Sequence, residues 1–463
     1  MATKSSFVRT QLARAGLRRA QSSRGPCHGT LLTTFAFVFV ALVAIVQPAR
    51  AAAPTFTHDI APIVYANCVN CHRTGEVAPF PLISYDDVKK HADLITQVTA
   101  SHYMPPWKPE PGYGHFVGER RLTDAQIKTI ADWATNGMPQ GDAKDLPALP
   151  KFPDGWALGE PDLVVKLPRA FTLPADGNHG RDVYRCFVIP LNFDEDKYVT
   201  TVEFRPGNPK IVHHALFFLD TSGAAKQKED ANTDGQPGFA TFGGPGFVPT
   251  GGLGGWAPGA MPQPLPDGWA RRLRKGSDLV IQEHLHPSGK EETEQSTLGI
   301  YFAKRPPDRI AGGGAVRNLR INIPPGDDNY VVTGQLTVPV DVDLIGITPH
   351  AHLICRDMQG NATLPDGTKV PLIWIKDWDF NWQGQYRYAE PIRLPAGTVI
   401  DMKYTYDNSE KNIRNPNTPP KRVTFGEQTT DEMAFLFLQF SPVNRADWLK
   451  ILAGRRNGAG FGG

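Results

Sequence analysis

The sequence predicts a multidomain chain in which a small all-α domain is followed by two antiparallel β-sandwiches. Three observations carry that expectation. The chain has 463 residues, which is long for a single core. Its 45 glycines and 42 prolines favour turns over long helices. Near Trp156 the hydrophobic pattern changes from helix-compatible spacing to short apolar runs separated by Gly, Pro, Asn and Asp.

Residues 1–53 read as a secretory leader. Lys4, Arg9, Arg14, Arg18, Arg19 and Arg24 precede an apolar run from Leu31 to Val46, which is followed by Pro48 and the small-residue site Ala49-Arg50-Ala51. The apolar run is short for a membrane span, so the expectation is a periplasmic or secreted bacterial protein, membrane-attached only if the leader is uncleaved. The leader holds seven basic and no acidic side chains, so its removal takes the formal charge from +2 to about −5 and leaves no reason to expect nucleic-acid binding. Cys27 leaves with it, and Cys68, Cys71, Cys186 and Cys355 remain.

Cys68-Val-Asn-Cys71-His72 is a C-x-x-C-H motif, in which both thiols form thioethers to haem and the histidine becomes the proximal iron ligand. A zinc half-site or a redox dithiol is the alternative. An adjoining histidine, an exported chain and the lack of a second cysteine pair favour haem c. Asp86 to Ser101 has helical apolar spacing through Val88, Ala92, Leu94, Ile95 and Val98, and Met104-Pro-Pro-Trp107 follows it. Thr123 to Asn136 carries Ile127, Ile130, Ala131 and Trp133 and stops at Gly137. This arrangement resembles a single-haem c-type cytochrome domain over residues 54–145. The resemblance implies a methionine as second axial ligand, for which Met104 is the candidate, Met138 the rival, and His102 and His115 outside alternatives.

Beyond Trp156, runs such as Tyr184–Ile189, Ile211–Leu219, Leu279–Glu283, Leu344–Ile347 and Phe435–Phe440 have the length and composition of strands. They suggest one sandwich over 155–306 and a second over 310–445, jointed at Lys304-Arg-Pro-Pro-Asp308 and Gly312-Gly-Gly314. The Gly/Pro-rich stretch 235–268 holds Phe239, Phe247 and Trp256, too many aromatics for a disordered linker.

Histidines cluster at strand ends in this region: His213-His214, His284-Leu-His286 and His350-Ala-His352, with Asp431-Glu-Met433 further on. Side chains two apart on a strand share a face, so His350 and His352 point together. Adjacent His213 and His214 can share a metal only near a strand irregularity, or by using different ring nitrogens. Imidazole suits copper, zinc, iron and nickel alike, whereas a thioether selects Cu(I).

The order His-His, Gln-x-His, His-x-His, Asp-Glu-Met resembles the type II copper, ascorbate-dependent monooxygenases, which include dopamine β-hydroxylase and peptidylglycine α-hydroxylating monooxygenase. Trp256-Ala-Pro-Gly-Ala260 is similar to a segment of the former enzyme. The resemblance covers roughly residues 160–440 and implies two antiparallel, jelly-roll-like β-sandwiches with a copper on each. His213, His214 and His284 would hold an electron-transfer copper, with His286 the alternative to His284. His350, His352 and Met433 would hold the copper that meets dioxygen and would be the catalytic set.

The implied activity is hydroxylation of a C–H bond of a small organic substrate with O2, using electrons relayed through haem from a periplasmic donor, with ascorbate as another reductant. Thr348, Phe435 and Phe437 stand where residues contact substrate in the peptide enzyme, and Ala434 where a cysteine follows its ligand methionine, which argues against a glycine-extended peptide. Cys186 and Cys355 lie in different expected sandwiches, and a disulfide between them is left open. The other function classes are a haem-copper electron carrier or copper-handling protein without oxygenase activity, and a reductase of a small inorganic molecule.

Overall fold

A computed structural model describes residues 53–76, 78–152, 155–241 and 244–456. The expected leader, apart from residue 53, lies outside them. Among the described residues no helix is long and apolar enough to cross a membrane.

Four α-helices gather near the start of the described chain, while Ala224–Asp230 and Trp448–Arg456 lie further along it. Ser84 caps Tyr85–Lys90 and Thr123 caps Asp124–Thr135, each through a reciprocal capping box with the residue three positions on. Ala61–Asn67 and Ala92–Ala100 complete the set, and the helix expected over 86–101 is broken at His91. Phe56, Ile60, Val64, Val88, Ile95, Ile130 and Trp133 form their shared core.

The expected fold class is corrected here. Strand, at 35%, far outweighs helix, at 14%, and no all-α c-type cytochrome domain is present among the described residues. The physical reason lies between the last two helices. Residues 105–121 leave the helical core and bond to strands far along the chain: Glu110 N donates to Trp374 O at 2.7 Å and Val117 N to Arg387 O at 2.8 Å. Phe116 is 5% exposed and belongs to the core of a β-sheet pair rather than to that of the helices.

Four principal sheets hold the rest. Strands Leu163–Lys166, Thr297–Phe302, Lys197–Arg205, Trp269–Leu273 and Arg309–Ile310 form one sheet, in that order. Phe239–Thr241, Val183–Pro190, Asp278–Leu285, Val212–Asp220 and Gly251–Trp256 form a second. These two share a core of Leu173, Phe187, Val199, Phe217, Leu273, Ile281 and Leu298. The stretch 235–268 thus contributes two strands to a sheet.

The third sheet orders Gly312–Arg317, Phe435–Pro442, Val342–His350 and Tyr386–Leu394, and the fourth orders Tyr330–Thr337, Val399–Tyr406, Cys355–Thr363 and Lys369–Ile375. Val342, Leu344, Met358, Ile373, Tyr404, Leu436 and Phe440 lie between them. Each such fully buried aliphatic or aromatic side chain contributes about 1.5–3 kcal/mol, so these cores fix the registers on which the histidines stand.

Candidate metal centre

The strands Val212–Asp220 and Asp278–Leu285 run antiparallel, and their register slips beside the first histidine pair. Val212 faces Leu285 and His214 faces His284, leaving His213 as the extra residue between them. A bulge of this kind turns adjacent side chains toward one side. The Nδ1 atoms of His213 and His214 are 3.2 Å apart, and those of His214 and His284 are 3.4 Å apart. One proton can bridge one pair of these nitrogens, but the third then faces a lone pair. A tetrahedral ion with bonds of about 2.0–2.1 Å sets its nitrogen ligands at about this separation, so the cluster fits a metal.

His284 also separates itself from His286. Its Nε2 meets Asp182 Oδ2 at 3.0 Å, while His286 turns its Nδ1 to Asp182 Oδ1 at 2.6 Å. A carboxylate behind a ligating imidazole fixes its tautomer and raises its basicity. Burial works to raise the Asp182 carboxyl, but the hydrogen bonds from His284, His286 and Thr429 outweigh it and hold the group well below the usual carboxylate range. Tyr184 stacks on the His284 ring at 4.2 Å.

The second set is built differently. His350 ends its strand and His352 follows outside it, where its backbone N–H meets Glu432. The fully buried Glu432 carboxylate accepts from His352 N and Ile354 N at 2.8 Å each, and from Met433 N at 3.2 Å. His352 N and Met433 N share the same oxygen, Oε2, which places their backbones side by side. Burial raises Glu432 to about 8, against the pull of those backbone donors.

His350 Nδ1 meets Gln383 Oε1 at 2.6 Å and His352 Nδ1 meets the Asp431 carbonyl at 3.1 Å. Both Nδ1 atoms therefore donate, and both Nε2 atoms keep their lone pairs. Burial is the largest cause depressing His213 to about 2, His352 to about 3 and His350 to about 4, and it lowers His214 and His284 as well. All five are neutral imidazoles at pH 7, the form that binds metals.

Phe380 joins the two sets. Its ring stacks on His213 with centroids 4.9 Å apart and planes at 18°, and His352 meets it edge-on at 5.7 Å. Beyond His350, Phe435 and Phe437 stack at 5.4 Å on the sheet face opposite buried Leu436 and Leu438, so neither is a core residue. Asp182, Phe380, Gln383, Thr429 and Glu432 carry no sequence signal as partners of the histidines, except that Glu432 stands inside the Asp431-Glu-Met433 triplet.

At the haem motif, His72 N donates to Cys68 O at 2.9 Å and His72 Nδ1 meets the Phe80 carbonyl at 3.0 Å, leaving Nε2 as the free ring nitrogen. Cys68 and Cys71 are free thiols, as are the buried Cys186 and Cys355. Two unpaired thiols and an imidazole oriented through its far nitrogen fit a covalently attached haem. Met138 packs against the helical core together with Cys68, whereas half-buried Met104 stands where the chain leaves those helices. His102 and His115 are both exposed.

No protein-family model matches the chain, and no curated protein matches it. Among solved structures, the chain is similar to a two-domain protein of unknown function from Bacteroides fragilis, with 8% identity, 56% of this chain and 95% of that chain covered, and a TM-score of 0.16. It is also similar to a structure of infectious bursal disease virus, with 10% identity, 63% and 86% covered, and a TM-score of 0.15.

Proposed function

We propose that the chain is a haem-copper monooxygenase that hydroxylates a C–H bond of a small organic molecule with O2. The observation that carries this reading is the pairing of chemically different sites on either side of Phe380. One gathers the Nδ1 atoms of His213, His214 and His284, and the other offers the Nε2 atoms of His350 and His352, with the Met433 backbone held to that of His352 through Glu432. A carrier of single electrons needs one site.

Copper at these sites supplies one-electron redox chemistry and dioxygen activation, and haem at Cys68, Cys71 and His72 supplies a store for a further electron. The chain's own residues do the rest. Asp182 holds His284 in the tautomer whose Nδ1 is a ligand, and Gln383 and the Asp431 carbonyl do the converse for His350 and His352. Glu432 keeps His352 and Met433 adjacent, and the thioether favours the reduced ion there. Phe437, 43% exposed near His350, offers an apolar surface to a substrate. Electrons come from an extracytoplasmic donor or from ascorbate.

Labelled dioxygen supplied to reduced, copper-loaded protein with candidate substrates tests the reading. Label in an organic product supports hydroxylation. Reoxidation of haem without labelled product assigns the chain instead to electron transfer or copper handling. Metal analysis is expected to give about two coppers and one haem per chain, from the ligand sets above.

A further inference from the structure

His284 has two ring nitrogens, and the fold gives each a different set of neighbours. Its Nδ1 lies 3.4 Å from that of His214 in the three-histidine cluster, while its Nε2 lies 3.0 Å from Asp182 Oδ2. On that second side stands His286, whose backbone N–H donates to Ile211 O at 2.8 Å and whose Nδ1 meets Asp182 Oδ1 at 2.6 Å. Asp182, His284 and His286 each offer a ligating atom, and these atoms lie within 4.8 Å of one another.

The two sides differ in geometry and in access. Nδ1 separations of 3.2 and 3.4 Å in the cluster suit tetrahedral angles, whereas the 2.6 and 3.0 Å contacts of Asp182 bracket the roughly 2.8 Å between neighbouring ligands of a tetragonal ion with bonds of about 2.0 Å. A mixed imidazole and carboxylate set of that shape suits Cu(II). On the inner side Tyr184 covers the His284 ring and Phe380 covers that of His213. On the outer side the His286 side chain is 37% exposed, against 13% for Asp182 and 2% for His284. The His286 ring lies 4.6 Å from that of His213 and 4.9 Å from that of His284, so the outer set adjoins the cluster directly.

We propose that Asp182, His284 and His286 form an outer position that captures Cu(II) and passes it to the His213, His214 and His284 cluster. The inference rests on the reading of that cluster as a copper site and adds the route by which the metal reaches it. Capture requires no net loss of protons. His284 moves its proton from Nε2 to Nδ1, where His214 Nδ1 accepts it in a hydrogen bond, and His286 moves its own from Nδ1 to Nε2. Transfer inward reverses both shifts, and the Asp182 carboxylate returns to its place behind the two rings. A neutral imidazole has one lone pair for a metal, so His284 serves one set at a time and the outer position empties as the cluster fills.

The test uses the full chain carrying His350→Ala and His352→Ala, so that copper binds at this end only. Into it are placed His286→Gln, which keeps an N–H for Asp182 but is a poor ligand, then His214→Ala, and then both. The readouts are the rate of Cu(II) uptake by stopped flow, the affinity by chelator competition and the Cu(II) EPR spectrum, with circular dichroism checking the fold. His286→Gln is expected to leave the affinity within about threefold and to slow uptake by roughly tenfold or more. His214→Ala is expected to retain one Cu(II) with a tetragonal spectrum of nitrogen and oxygen ligands, and adding His286→Gln to abolish that binding. Uptake at the unsubstituted rate in His286→Gln would overturn the proposal, as would a folded His214→Ala protein that binds no copper or whose affinity is indifferent to His286→Gln. Absence of copper from the His350→Ala, His352→Ala chain itself would instead overturn the cluster as a copper site.

Discussion

The hydroxyl of Thr429 donates to Asp182 Oδ2 at 2.7 Å, joining residues 247 positions apart. Asp182 is the carboxylate that holds His284 and His286, and Thr429 lies in the segment that supplies the Asp431 carbonyl to His352. Tyr184 reinforces the connection through its hydroxyl bond to Glu427 O at 3.0 Å. Asp182→Asn is expected to weaken metal affinity at the three-histidine cluster about 10- to 100-fold, the usual effect of losing a carboxylate behind a ligating imidazole. Thr429→Val removes only the latch and is expected to cost severalfold at that cluster. Chelator-competition titration of the two variants checks both magnitudes, and equal losses would show that Thr429 acts other than through Asp182.

Phe380 is 8% exposed and contacts an imidazole from each set. Aromatic pairs in such geometries contribute about 0.5–1.5 kcal/mol beyond the area they bury. A double-mutant cycle in metal-free protein, combining Phe380→Ala with His213→Ala, is therefore expected to return a coupling of about 1 kcal/mol. Phe380→Ala alone should destabilise the chain by about 3–5 kcal/mol through the cavity it leaves. Denaturant midpoints measure both, and a coupling of zero would mean that the stacked ring is bystander packing.

How much of this was legible in the sequence follows from the range of the interactions. The helix start at Thr123 depends on a residue three positions away, and local pattern finds it. The His213-His214 pair could share a metal only near a strand irregularity or through different ring nitrogens, and the ladder slips there. Trp107 and Phe116 carry no periodicity of their own, so residues 105–121 read as a loop inside a helical domain, and the all-α expectation failed there. Their partners, Tyr386 and Tyr388, are some 270 residues distant, and nothing in the local chain announces them. Asp182 was invisible for the same reason: one aspartate before a strand looks like any turn residue until the fold sets His284 and His286 on it.

Burial pushes the Cys186 thiol up to about 12 and raises Cys355 strongly as well. The thiolate is the reactive form, so at pH 8 Cys186 should alkylate about a thousandfold more slowly than a free cysteine near 9, with the rate climbing about tenfold per pH unit toward 12. Mass spectrometry after iodoacetamide treatment without reductant is expected to find both residues unmodified in folded protein and both modified after denaturation. Failure to label after denaturation would reveal a Cys186–Cys355 disulfide, contrary to their free state here.

Glu432 offers the most direct test of how the second set is assembled. Its carboxyl oxygens satisfy the backbone N–H groups of His352, Ile354 and Met433 inside a fully buried site. Glu432→Ala leaves these donors without their acceptor, and each buried donor left unsatisfied costs about 1–3 kcal/mol. The expected loss is therefore about 3 kcal/mol or more, together with loss of metal binding at His350, His352 and Met433. Glu432→Gln keeps one carbonyl oxygen, able to serve His352 N and Met433 N, which share Oε2, but not Ile354 N. It is expected to fall between wild type and Glu432→Ala in denaturant midpoint and to retain weakened binding at that site. Both variants should leave the His213/His214/His284 cluster competent, because Asp182 and the strand bulge position it without Glu432. Parallel loss at both clusters would instead place Glu432 in a support common to the two.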